Sequence, residues 1–149
     1  MAIPARYKNL IGKATKPKTF EVEKGQVRRF ALAIGETKTI HSEEETAQGA
    51  GYTSLVGTPT FVAALSNIGG LYETLDIDQS NTMHAEEEYE FFRPVVAGDQ
   101  VTVTHKVVDI YDKDSPNGKL VFVVIETRGA DLRDRPVFKG RRVLVELKR

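Results

Sequence analysis

Glu36 and His41 stand five positions apart in Ile34-Gly35-Glu36-Thr37-Lys38-Thr39-Ile40-His41, just past a predicted helix. A carboxylate and an imidazole on one short loop can be aimed into a shared cavity while the helix behind them stays rigid. Such a pair suits general acid–base chemistry, in which one group takes a proton and the other returns it. The same two residue types in a polar loop also serve structure or simple solvation. What decides between these roles is the set of elements that position them.

Periodicity supplies those elements. Val27, Phe30, Ala31 and Ile34 recur at i, i+3, i+4 and i+7, which predicts an amphipathic helix over residues 23–34 with Gly35 as its left-handed cap. Ser42-Glu43-Glu44-Glu45 has the form of a capping box and predicts a short helix to about Gln48, ended by Gly49-Ala50-Gly51. Thr58-Pro59 opens the strongest helical signal, a threonine cap followed by proline at the first helical position. Phe61, Ala64, Leu65, Ile68, Leu71, Tyr72 and Leu75 then keep helical spacing, and only Glu73 is charged. Gly69-Gly70 interrupts this run at about 1 kcal/mol each relative to alanine, implying a helix end or a close approach there.

Residues 76–82 form a polar connector, and four segments of strand character follow: 83–92, 101–110, 120–128 and 137–147. In the first, Met83, Ala85, Tyr89 and Phe91 share a side, and alternation puts Glu87 among them. Residues 112–119 read as a hairpin loop containing Asn117-Gly118, so the last three strands are antiparallel neighbours. One long apolar helix and one twisted antiparallel sheet must bury each other. The expected fold class is therefore α+β, a single domain over residues 1–149 with the sheet wrapped around the helix.

Composition narrows the function classes. The chain has 149 residues, 40% hydrophobic and 28% charged, with formal net charge +0. That balance offers no field for nucleic acid or anionic lipid, and no apolar run is long enough to span a membrane. The absence of cysteine removes disulfide and thiolate chemistry. The first residues lack a signal peptide's apolar core, so the cytoplasm is the expected location. Glu43, Glu44 and Glu45 beside His41 are better read as first-turn acids favoured by the helix dipole than as metal ligands. No metal or organic cofactor is expected.

Three blocks resemble the MaoC-like dehydratase family of hot-dog fold, more narrowly its N-terminal-type branch. They are Phe30-Ala31-Leu32-Ala33-Ile34-Gly35-Glu36, then Ala50-Gly51-Tyr52 through Leu55-Val56-Gly57-Thr58-Pro59-Thr60-Phe61, and Met83-His84-Ala85-Glu86-Glu87-Glu88-Tyr89-Glu90-Phe91 leading into Arg93-Pro94-Val95-Val96-Ala97-Gly98-Asp99. The resemblance implies a hydratase or dehydratase interconverting trans-2-enoyl and (R)-3-hydroxyacyl thioesters of coenzyme A or acyl carrier protein. Active members carry Asp-x-Asn-Pro-x-His where this chain has Glu36-Thr37-Lys38-Thr39-Ile40-His41. The imidazole is kept, the carboxylate is one methylene longer, and Lys38 and Thr39 stand in place of asparagine and proline. Proline restricts both its own backbone and that of its predecessor, so Thr39 leaves the loop less pre-organised.

The resemblance makes Glu36 the base that takes a proton from water and His41 the donor to the α-carbon. It puts the oxyanion donor at the amide of Thr58, with Gly57 permitting close approach. It also implies a homodimer, or a heterodimer with a related hot-dog subunit. In the branch that carries glutamate in this loop, a partner performs catalysis, which makes a non-catalytic acyl-binding subunit the second reading. A hot-dog thioesterase would need a carboxylate on the long helix, where Glu73 is the candidate. Lys139, Arg141 and Arg142 could meet a coenzyme phosphate or simply line a solvated strand face.

Overall fold

The computed structural model describes residues 5–65, 69–75 and 77–148. A short helix α1 (Ala5–Lys8) and strand β1 (Lys18–Glu21) lead into helix α2 (Lys24–Ala33). A 3-10 turn at Thr39–His41 and helix α3 (Glu44–Gly49) follow, then α4 (Phe61–Leu65) and α5 (Gly69–Leu75). The chain finishes with strands β2 (Thr82–Phe91), β3 (Gln100–Ser115), β4 (Gly118–Ala130) and β5 (Pro136–Lys148). The strands form one antiparallel sheet in the order β1-β3-β4-β5-β2.

Cross-strand partners share a face, so the register defines what the helices meet. Val103, Gly129, Phe138 and Phe91 form one row across the sheet. With Phe61, Val62 and Leu65 of α4 and Val27 of α2, Val103 and Phe138 build one apolar cluster. Val107 and Ile125, then Ile110, Val123 and Leu144, form a second cluster with Leu71 of α5 and Tyr7 of α1. Register shifts at Val107/Asp109 in β3 and His84/Glu86 in β2 mark bulges, which bend strands and strengthen their twist. This is the α+β hot-dog arrangement, a sheet curved over helices.

Several expected boundaries move. α2 ends at Gly35 with φ +73, as a left-handed cap requires. Ser42 does not cap α3: its hydroxyl turns back to the Thr39 carbonyl, and Glu43 takes the N-cap position without a side-chain cap bond. The 3-10 turn consumes Ser42 as its own end, which displaces the helix start by one residue. Gly69 is the first described residue of α5, and residues 66–68 before it lie outside the described residues. Ile68 and Asp76 lie outside the described residues, as does the Leu75 side chain. The hairpin strands run on to Ser115 and Gly118, leaving Pro116-Asn117 as the turn.

The β2 bulge reverses part of the expected alternation. Tyr89 and Phe91 do face inward, but Met83 turns outward and is exposed, while His84 joins Glu87 on the inner face opposite Leu144. There Glu87 meets Arg142. The guanidinium donates Nε to Oε2 at 2.5 Å and Nη2 to Oε1 at 2.8 Å, and Tyr89 donates its hydroxyl to Oε1. His84 Nε2 also lies 2.5 Å from Glu87 Oε2. Arg142, only 4% exposed, is thus no part of a solvated strand face. Lys139 and Arg141 are on the outer face, beside Glu126 and Glu86.

Candidate active site

The loop after α2 is tied down mostly by backbone. The Glu36 amide donates to the Ala31 carbonyl at 2.9 Å, closing the helix end. Glu36 Oε1 then accepts from the amides of Thr37 and Lys38, both at 2.9 Å. These bonds, the Lys38 amide first, outweigh partial desolvation and hold the carboxyl below its ordinary value, helped by the charges of His41 and Lys38. Glu36 is therefore ionised, with one oxygen anchored and no described partner on the other. Lys38 contributes to this chiefly through its main-chain amide and less through its charge.

His41 is 6% exposed and its Nδ1 lies 2.6 Å from the Val56 carbonyl. A carbonyl only accepts, so Nδ1 carries a proton, and when the ring holds no second proton Nε2 is a lone-pair acceptor. Val56 is itself fixed from both sides. Its amide donates to the Ile40 carbonyl at 3.1 Å, and it bridges Val96. Gly57 donates to the Val95 carbonyl at 2.7 Å, which uses up its amide.

Thr58 comes next and is unusual. The residue is 3% exposed, its hydroxyl has no hydrogen-bond partner, and among the described residues no acceptor takes its amide. Its carbonyl receives the Phe61 amide at 3.0 Å, so it leads into α4 through its main chain, and the expected side-chain cap does not form. Buried polar groups without partners are rare and ask for a reason. A side chain at position 57 would meet Phe61 Cδ1 at 3.1 Å and the Val95 carbonyl at 3.3 Å, so it would have to displace them by a few tenths of an ångström. Beside Gly57 and Pro59 opens a cleft of about 360 Å³, walled by Phe91, Phe92, Pro94 and Val95.

The structure thus brings His41, Gly57 and Thr58 together through Val56, while the Glu36 carboxylate turns back on its own loop with no hydrogen bond to His41. Two features of this neighbourhood were not foreseen: the Val56 carbonyl as the imidazole's anchor, and the Phe91-Phe92 wall. The first has no side-chain signal. The second was legible as adjacent phenylalanines that break a strand's alternation. Glu43 and Glu44 are occupied elsewhere, by Thr46 and by Lys24 with Ser54. Glu73 is exposed on α5 and lines a different cleft from Gly57.

A five-stranded antiparallel sheet curved over helices is the hot-dog fold. The chain matches the family described as FAS1-like, dehydratase domain region, over residues 9–140, and belongs to it. It is 33% identical to a UPF0336 protein of Thermobifida fusca, covering 74% of each chain, and 28% identical to one of Saccharopolyspora erythraea, covering 92% of this chain and 88% of the relative. Among solved structures it is similar to the HadBC (3R-hydroxyacyl-ACP dehydratase) complex of Mycobacterium tuberculosis, with TM-score 0.79, 23% identity, and coverage of 91% and 96%. The (R)-hydratase from A. caviae superposes with TM-score 0.70 at 19% identity, covering 93% and 96%. At these identities the likeness to solved structures is one of fold. No helix among the described residues is long and apolar enough to cross a membrane.

Proposed function

We propose that this chain adds and removes water across the α,β-bond of acyl thioesters, interconverting trans-2-enoyl and (R)-3-hydroxyacyl forms carried on coenzyme A or acyl carrier protein. The observation that carries this reading is Thr58, a buried residue whose hydroxyl has no partner and whose amide finds none among the described residues, two residues beyond the carbonyl that orients His41. In hydration, the water oxygen bonds to C3 as its proton passes to His41 Nε2, and the electron pair moves onto the thioester oxygen. The Thr58 donors stabilise that enolate oxygen, commonly the largest single catalytic contribution. The imidazolium then returns the proton to C2, and dehydration runs the steps backwards. Glu36, held below its ordinary carboxyl value, is a weaker base than an unperturbed glutamate, so its part is to stabilise the imidazolium by charge. The apolar cleft at Gly57 and Phe92 would receive the thioester's stem.

A second reading is favoured by one observation, the commitment of Glu36 Oε1 to its own loop. In that reading the chain binds the acyl group and a related hot-dog subunit supplies the catalytic loop. β2 is an edge strand with Met83 and Phe92 exposed nearby, and an unpaired edge of this length is usually covered by a partner. Hydration of short and long enoyl thioesters by the purified protein distinguishes the two, read together with its sedimentation. A self-associated protein that turns over alone supports the first. Turnover that appears only after mixing with a co-purifying hot-dog subunit supports the second.

A further inference from the structure

We propose that the cleft between α5 and the β1–β3 corner is a second ligand site, built for a medium-chain carboxylate whose far end carries a hydroxyl. Lys16 and Lys18 would take the charged head, Phe20, Leu71 and Val103 the stem, and His105 the hydroxyl. This site is separate from the His41 neighbourhood and does not rest on the function proposed above. The cleft holds about 380 Å³. At roughly 30 Å³ per non-hydrogen atom, the share of a water molecule in the liquid, that is room for about a dozen such atoms. Its lining runs from exposed Lys16 and Lys18 to buried Leu71, Val103 and His105, so charge lies at the rim and the apolar wall deeper.

His105 is the second, independent pointer to a ligand. It is 6% exposed, its Nδ1 lies 2.8 Å from the Thr127 hydroxyl, and no described residue hydrogen-bonds Nε2. Burial and the charge of Arg142 hold its pKa down to about 4, so the ring is neutral at ordinary pH and repels no apolar stem. The rim has a charge preference. Lys16 forms no ion pair among the described residues, and Lys18 sits 5.2 Å from the centre of the Phe20 ring. Glu73 also reaches the cleft, leaving one net positive charge, which matches a monoanion. The segment that forms the rim adds to this preference: residues 13–20 hold Lys13, Lys16 and Lys18 and no acidic residue, in a chain that is neutral overall.

Titration of the full chain with decanoate and with 10-hydroxydecanoate, followed by calorimetry and by the His105 ring resonances, tests the assignment. Both probes should bind and move the His105 signals, the hydroxylated one more tightly by roughly fivefold, about one hydrogen bond's worth. The doubly substituted Lys16→Glu, Lys18→Glu protein, altered only at exposed positions, should bind both roughly tenfold more weakly at low salt. His105→Gln should remove most of the difference between the probes. The proposal is overturned by equal affinity for the two probes, by binding that leaves the His105 signals unmoved, by indifference to the lysine substitutions, or by no binding at millimolar concentration.

Discussion

Glu87 shows how much one side chain can fix. Its burial alone would raise the carboxyl's pKa, yet the bonds from Arg142 and Tyr89 and the charges of Arg142 and His84 hold it below 4.5. Because the folded value is depressed, its contribution is present above the unfolded value and fades as pH falls through the folded one. Glu87→Gln leaves Arg142 buried without its counter-charge and should cost roughly 3 kcal/mol at neutral pH. Urea midpoints should show that deficit shrinking below about pH 4. His105 acts in a higher window. Its folded value of about 4 lies under the ordinary 6.5, so the unfolded chain binds the extra proton first, and stability falls between those limits by about 3 kcal/mol. In His105→Gln that slope should vanish. The sequence exposed Glu87 as misplaced among apolar neighbours, but its partner lies 55 residues away on β5, and pairing over that distance leaves no periodic trace.

At the scale of elements, the legible parts were those with strong repeats. α2, the cap at Gly35 and the β3, β4 and β5 strands all stand close to where periodicity puts them, although Ile34, the last residue of the expected stripe, lies past the helix and is 51% exposed. α1 and β1 were not foreseen, since four-residue elements hold too few residues to show a period. The β2 bulge was hidden for another reason: one extra residue at His84/Glu86 shifts the alternation, and only the register against β5 reveals it. The site's geometry also belongs to segments more than to single side chains, because residues 55–57 are clamped between the His41 turn and residues 95–97. Gly57→Ala presses on Phe61 and the Val95 carbonyl, neither of which has a flexible end to yield. A shift of a few tenths of an ångström at Thr58 should lower kcat roughly tenfold while thermal unfolding changes little. Unchanged turnover would show that the approach of this segment does not matter.

For the molecule as a whole, sheet and helices divide the work. The sheet's inner face carries a polar band of His105, Thr127, Tyr89, Glu87 and Arg142 between two apolar clusters, so the core is pinned in one register as well as buried. The candidate active site sits where α4 begins and the edge strand β2 ends, and the second cleft opens at the opposite edge beside β1. Fold class and the positions of His41, Gly57 and Thr58 were readable in the sequence, whereas the orientation of Glu36 was not, because it is set by main-chain amides. Everything functional rests on the anchored imidazole working with the Thr58 donors. The direct measurement is the rate of hydration of a trans-2-enoyl thioester by wild-type and His41→Ala proteins in the same oligomeric state, with whatever hot-dog partner the wild type requires. The account predicts a loss of at least about a hundredfold in kcat, the scale of a removed general base, with KM little changed. A variant that retains wild-type turnover would contradict it.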